Sequence, residues 1–183
     1  MEKKLVAHTQ RTIVNRISID DAPFFVQLVN SPGWLRYIGD RQVSDVADAE
    51  RFLEDGFLQS YRDNGFGHYL VRSRQGDPMG ICGFLKKPIL ENPDFGFAFL
   101  PEYMGQGFAF EACEKVLKLA VEYYRFTILD AVLSVDNSRS KRLLEKLGFG
   151  QQGTIPSETD ERGALLYRWE RSKDAADSRR TKI

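Results

Sequence analysis

Two glycines one residue apart, set between an apolar strand and the start of an amphipathic helix, are the positions in this chain best suited to hold an anion. The stretch runs Asp94-Phe95-Gly96-Phe97-Ala98-Phe99-Leu100-Pro101-Glu102-Tyr103-Met104-Gly105-Gln106-Gly107-Phe108-Ala109-Phe110-Glu111-Ala112. Strand, turn and helix in that order bring exposed backbone N–H groups and the positive end of a helix dipole to the end of a strand, an arrangement that binds phosphates. Three other readings of Gly105-Gln106-Gly107 compete. A dinucleotide turn has a third glycine where this chain has Phe110, and a nucleoside-triphosphate loop ends in Gly-Lys-Ser/Thr, yet no Gly-Lys pair occurs in the sequence. A tight turn that uses glycine only for positive φ explains the turn alone as well as a phosphate site does. Other chemistries find less support. His8 and His68 are the only histidines and Cys82 and Cys113 the only cysteines. With no HExxH, paired-histidine or CxxC spacing, neither a metal centre nor a disulfide framework is expected. A Ser-His-Asp triad lacks its GxSxG turn.

The elements that must position this turn follow from pattern. Thr12 to Ile17 alternates as a strand. Asp20 or Asp21 caps a helix that starts near Pro23 and carries Phe24, Phe25, Leu28 and Val29. Ser31-Pro32-Gly33 breaks that helix, and Trp34 to Asp40 reads as an irregular, aromatic-rich loop. Ser44 or Asp45 opens a second helix, with Val46, Ala49, Phe52, Leu53 and Phe57 at helical spacing, and Asn64-Gly65 ends it. Phe66–Ser73 and Met79–Leu85 read as a hairpin around Gln75-Gly76-Asp77-Pro78. Phe95–Leu100 reads as a strand buried on both faces. The helix after the turn places Ala109, Ala112, Cys113, Val116, Leu119, Ala120 and Tyr123 on one stripe. Thr127–Val135 is a strand, Asp136 or Asn137 caps a short helix that Gly148 stops, and Phe149–Ile155 with Leu165–Trp169 form a final hairpin. The strand–helix–strand unit implies a parallel pair with a right-handed crossover inside an otherwise antiparallel sheet, with helices on both faces.

The 183 residues suit one domain, 42% hydrophobic and 28% charged, with 26 basic and 26 acidic residues. Zero net charge argues against direct nucleic-acid binding. No apolar run approaches the roughly 20 residues that span a bilayer, and the first residues lack the apolar segment of a signal peptide. No membrane association and a cytoplasmic location are expected.

A second motif follows the second parallel strand: Val135-Asp136-Asn137-Ser138-Arg139-Ser140-Lys141-Arg142-Leu143-Leu144-Glu145-Lys146-Leu147-Gly148-Phe149. Together the two stretches resemble the GNAT N-acetyltransferase superfamily, and within it the ribosomal-protein (Rim-type) N-terminal acetyltransferase branch. That branch shows an acid-x-Gly-aromatic strand, then Pro-x-Tyr-x-Gly-x-Gly-x-Ala-x-Glu-Ala, then Asn-x-x-Ser and Glu-Lys-Leu-Gly-Phe. The likeness extends from about Thr12 to Trp169 and includes Tyr37-Ile38-Gly39-Asp40.

The resemblance implies a single α/β GNAT-like domain over residues 1–171, with a polar tail at 172–183. Its mixed, mostly antiparallel sheet would hold a central parallel pair splayed around acetyl-CoA. The implied enzyme is an acetyl-CoA-dependent N-acyltransferase, without metal, that acetylates a primary amine on a protein N-terminus or a small molecule. The alternative is a non-catalytic acyl-CoA-binding regulatory module. By the same resemblance the diphosphate would sit on Met104, Gly105, Gln106, Gly107, Phe108 and Ala109. The pantetheine arm would pair with Phe97, Ala98 and Phe99 and meet Asn137. Asp94 would be the base and Ser140 the donor to the leaving sulfur. Trp34 and Tyr37 would line the acceptor mouth. Two departures stand out: Met104 where the family usually has Arg or Gln, and Leu144 where many members have a Tyr acid. A monomer or homodimer is expected.

Overall fold

Along the chain the elements are β1 (Leu5–His8), β2 (Thr12–Arg16), α1 (Ala22–Val29), α2 (Pro32–Tyr37), α3 (Val46–Phe52), a π-helical turn (Leu53–Leu58), α4 (Gln59–Asn64), β3 (His68–Ser73), β4 (Pro78–Leu85), β5 (Asp94–Phe99), α5 (Phe108–Glu122), β6 (Ile128–Ser134), α6 (Ser138–Lys146), β7 (Gly150–Ile155) and β8 (Ala164–Glu170). The structure, a computed structural model, describes residues 5–157 and 160–171, so the tail expected at 172–183 lies outside the described residues. The strands form one open sheet in the order β1-β2-β3-β4-β5-β6-β8-β7. Every pairing is antiparallel except β5 with β6. No helix among the described residues is long and apolar enough to cross a membrane.

Alternation of side chains along the strands divides the core between two faces. On one face Tyr69, Val71, Cys82, Phe84, Phe95 and Phe99 pack with Ala112, Cys113 and Val116 of α5. On the other Leu70 and Ile81 pack with Phe25, Leu28, Leu53 and Phe57 from the helices that precede β3. The hairpin expected at the end of the chain forms, and β8 rather than β7 lies next to β6.

Four local expectations are revised. Trp34 to Asp40 is not an irregular loop throughout, because Pro32 occupies the first position of α2, where its missing N–H costs nothing. Asp21 stands at the backbone N-cap of α1, but its carboxylate turns back to accept from Ser18 N at 2.9 Å and Ser18 Oγ at 3.1 Å. Tyr123 is not part of the α5 stripe: it is 73% exposed, just past the helix end, while Leu117 is buried. Finally, β5 is not buried along its length. Phe95 and Phe99 are buried, but Gly96, Phe97 and Ala98 are only half-buried.

The Asp21 carboxylate is fully buried and also accepts from the Arg72 guanidinium of β3, so one ion pair ties the start of α1 to the sheet. Replacing one partner of such a pair strands the other charge. Asp21→Ala is therefore expected to lower unfolding free energy by about 3 kcal/mol, measured by urea denaturation; a loss under about 1 kcal/mol, typical of an exposed pair, would show the pair to be marginal.

Candidate active site

The half-burial in the middle of β5 has a cause in its parallel neighbour. β5 and β6 share one register pair, Asp94 with Asp130, where Asp130 N–H donates to Pro93 O at 3.0 Å. Val132, two residues on, presents its N–H to the same side. That N–H goes not to the β5 backbone but to the Asp94 side chain, Oδ1 at 3.2 Å. The carboxylate takes the next ladder bond, and the strands part beyond it. The result is a slot that is closed at Asp94 and opens toward the strands' C-terminal ends, beside the half-buried residues Gly96, Phe97 and Ala98 of β5.

Two buried carboxylates close the slot, and each is neutralised. Asp130 accepts from Arg168 Nε at 2.8 Å and from Asn92 Nδ2 at 3.0 Å. Asp94 Oδ2 meets Lys87 Nζ at 2.8 Å. Burial pushes the Asp94 pKa up, the Lys87 ammonium and the Val132 N–H pull it back, and Asp130 adds a push upward; the net direction is upward. A carboxyl raised in this way is a better proton acceptor than a free surface aspartate.

At the open end, Gly105 and Gly107 adopt left-handed φ of 74° and 84°. Gly107 is the N-cap of α5, and no side chain caps that helix. The N–H groups of its first turn, which no helix can satisfy internally, therefore have no capping side chain either, and Gly105, Gln106 and Gly107 are exposed. Exposed N–H groups at the start of a 15-residue helix fit a diphosphate.

The first turn of α6 forms the other side of the opening. Asn137 Oδ1 accepts from Ser140 N–H at 3.1 Å, so the cap uses the carboxamide oxygen and leaves its NH2 as the end able to donate into the slot. Ser140 is half-buried beside it. Leu144 is a core residue, 2% exposed. Met104 is flanked by Arg139, whose Nη1 lies 3.4 Å from the Met104 sulfur. A cation thus stands near position 104 after all, supplied from α6. The two expected mouth residues part company. Trp34 is buried against Phe52, with Nε1 unpartnered among the described residues, whereas Tyr37 is half-buried under the Arg36 guanidinium.

His68 was not expected at the site. It pairs with Gly83 of β4, and Gly83 pairs with Gly96 of β5, so its imidazole lies on the sheet face that the two glycines leave without side chains. A Cβ at Gly96 would stand 2.9 Å from His68 Nε2: glycine is needed there for space, since its φ is not positive. The ring meets the Phe57 ring edge-on at 5.5 Å, and Nδ1 is buried without a partner. Burial, with the Lys87 charge nearby, lowers the His68 pKa to about 3, so the imidazole is neutral at ordinary pH. Among the described residues no His/Cys/Asp/Glu group is arranged to hold a metal, and Cys82 and Cys113 are buried free thiols.

Comparison with known proteins adds four findings. A family model described as an acetyltransferase (GNAT) domain matches residues 11–150. An uncharacterized N-acetyltransferase of Bacillus subtilis, YoaA, is 25% identical over 152 residues, covering 82% of this chain and 85% of the relative. Among solved structures, a ribosomal L7/L12 alpha-N-protein acetyltransferase, RimL, in complex with coenzyme A superposes with a TM-score of 0.79 at 16% identity, over 91% of this chain and 98% of that one. A chimeric spermidine N-acetyltransferase from Vibrio cholerae and hSSAT superposes with a TM-score of 0.72 at 17% identity, over 87% and 95%.

The buried imidazole has a measurable consequence. The unfolded chain takes up a proton on His68 near pH 6.5 but the folded protein only near 3, so acidification across that window favours unfolding. Asp94, whose raised pKa works in the opposite sense, is unchanged in a His68→Phe variant. That variant is expected to match or exceed the wild-type melting temperature at pH 7. Its unfolding free energy should fall less steeply between pH 6.5 and 3, by up to about 1.4 kcal/mol per pH unit. Parallel slopes for the two proteins would contradict a neutral buried imidazole.

Proposed function

This chain belongs to the acetyltransferase (GNAT) family, and on that premise we propose that it moves an acetyl group from acetyl-CoA directly to a primary amine. The observation that carries the reading is the slot: a parallel strand pair joined at Asp94 and Asp130 and open beyond, with uncapped N–H groups at its wide end. Acetyl-CoA brings the activated acyl group as a thioester. In this reading Met104 to Ala109 bind the diphosphate through backbone N–H groups, and Phe97 to Phe99 pair with the pantetheine arm as a strand would. The Asn137 NH2 donates to the arm from the opposite side. A backbone N–H at the Phe97 strand stabilises negative charge that develops on the thioester oxygen.

An amine attacks only when neutral. Asp94 takes its proton through a water, the carboxylate being engaged on Lys87 and Val132. The Ser140 hydroxyl donates to the leaving sulfur, and Arg139 supplies the positive charge that Met104 does not. Tyr37 lines the acceptor mouth, and Trp34, buried against Phe52, holds up the helix that carries it. The solved relatives named for a protein N-terminus and for spermidine motivate both acceptor classes.

A second reading has one specific observation in its favour. Leu144 lies in the core where many family members carry a tyrosine acid, which suits an acyl-CoA-binding module without turnover. Two measurements separate the possibilities. Coenzyme A, and not NAD(H), is expected to raise the melting temperature; the reverse would overturn the cofactor. Thiol release from acetyl-CoA is then followed with peptides bearing free N-termini and with spermidine. Stabilisation without turnover on either would establish the binding module. With an active acceptor, Asp94→Asn is expected to lower kcat at pH 7 about 100-fold or more while keeping the coenzyme A shift. Wild-type kcat would remove Asp94 as the base.

A further inference from the structure

Both glycines of the turn occupy left-handed backbone and the turn is exposed, so its N–H groups need a fixed frame to act as a preformed anion site. That frame comes from the other end of the chain. Arg11, in the tight connection between β1 and β2, sends its Nε to Glu111 Oε2 at 2.7 Å and its backbone N–H to Glu111 Oε1 at 2.7 Å. The Thr9 hydroxyl joins the same carboxylate, and its oxygen accepts from Thr12 N–H at 2.9 Å. Arg11 Nη1 donates to the Gln106 carbonyl at 3.0 Å, and the guanidinium lies 4.7 Å over the Phe108 ring. Nη2 would stand 3.1 Å from a Cβ at Gly107.

The Gln106 contact determines direction. In a trans peptide the C=O and the following N–H point opposite ways. Holding the Gln106 carbonyl back toward β1–β2 turns the Gly107 N–H away from Arg11. Glu111 lies in the first turn of α5, so the same side chain that bonds the turn also anchors the helix whose N–H groups continue the site. Glu111 neutralises the guanidinium, and the contribution is therefore one of geometry rather than net charge.

We propose that Arg11 is a positioning residue for the diphosphate of coenzyme A, the β1–β2 hairpin acting as a clamp behind the glycine turn. The proposal rests on the cofactor reading above and deepens it by giving the turn a partner that lies outside both sequence motifs.

The test compares two ligands by NMR titration: coenzyme A, and acetyl-pantetheine, which lacks the diphosphate. Their affinity ratio in the wild-type protein reads the diphosphate together with the phosphorylated adenosine it carries; the change in that ratio on substitution at Arg11, which touches the turn, reads the clamp. Arg11→Ala and Arg11→Lys are both expected to weaken coenzyme A roughly tenfold, the scale of losing hydrogen bonds to a charged group, with acetyl-pantetheine affinity unchanged. Lysine keeps the charge but cannot bond Glu111 and Gln106 with one planar fork. Thr9→Val, a milder change that leaves Arg11 in place, is expected to shift the ratio in the same direction by less, and it stands in if the Arg11 variants fail to fold. An unchanged ratio in folded variants, an equal loss for both ligands, or full retention by Arg11→Lys would overturn the clamp. A wild-type ratio near one would instead overturn the diphosphate site itself.

Discussion

The architecture depends on a single side chain taking a backbone hydrogen bond. Where the parallel ladder between β5 and β6 would continue, the Asp94 carboxylate accepts the Val132 N–H, and the two strands separate from that point. An unpaired backbone group in a sheet interior is costly, so the opening persists only because its closed end is fully bonded. Asp94 is held by Val132 and Lys87, Asp130 by Arg168 and Asn92. Beyond that end β5 keeps its antiparallel pairing with β4 but has no register partner on β6.

The remaining features attach to the two walls of this opening. On the β5 side the chain leaves the strand into the glycine turn and α5; on the β6 side it enters α6 through Asn137. Both helices start at the wide end, where their first-turn N–H groups face an anion favourably. The Arg11–Glu111–Gln106 contacts brace one wall from behind. On the α1–α4 face, His68 reaches over Gly83 to the Gly96 backbone and, neutral by burial, adds no charge to the pair formed by Asp94 and Lys87.

Much of this was legible in the sequence because it is local. The glycine turn, the caps of α3 and α6, the Gly148 stop and the strand–helix–strand unit each depend on residues within a few positions of one another. What was not legible depends on partners far apart in the chain. Nothing near Arg11 announces Glu111, a hundred residues later, and the four-residue β1 is too short for alternation to reveal. The apolar run Phe95–Leu100 reads as doubly buried because hydrophobicity alone cannot report that a neighbouring strand departs. Met104 looked like a lost cation because the guanidinium that flanks it, Arg139, comes from another helix. The His68–Gly96 contact joins two residues whose types, read singly, suggest an ordinary strand histidine and an ordinary strand glycine.

Hydrogen–deuterium exchange in the presence and absence of coenzyme A tests the central claim most directly. If the opening between β5 and β6 is the cofactor slot, coenzyme A slows exchange in two segments together: residues 96–99 of β5 and residues 104–110 of the turn and α5. Protection confined to other surfaces, or none in β5 at saturating ligand, would contradict it.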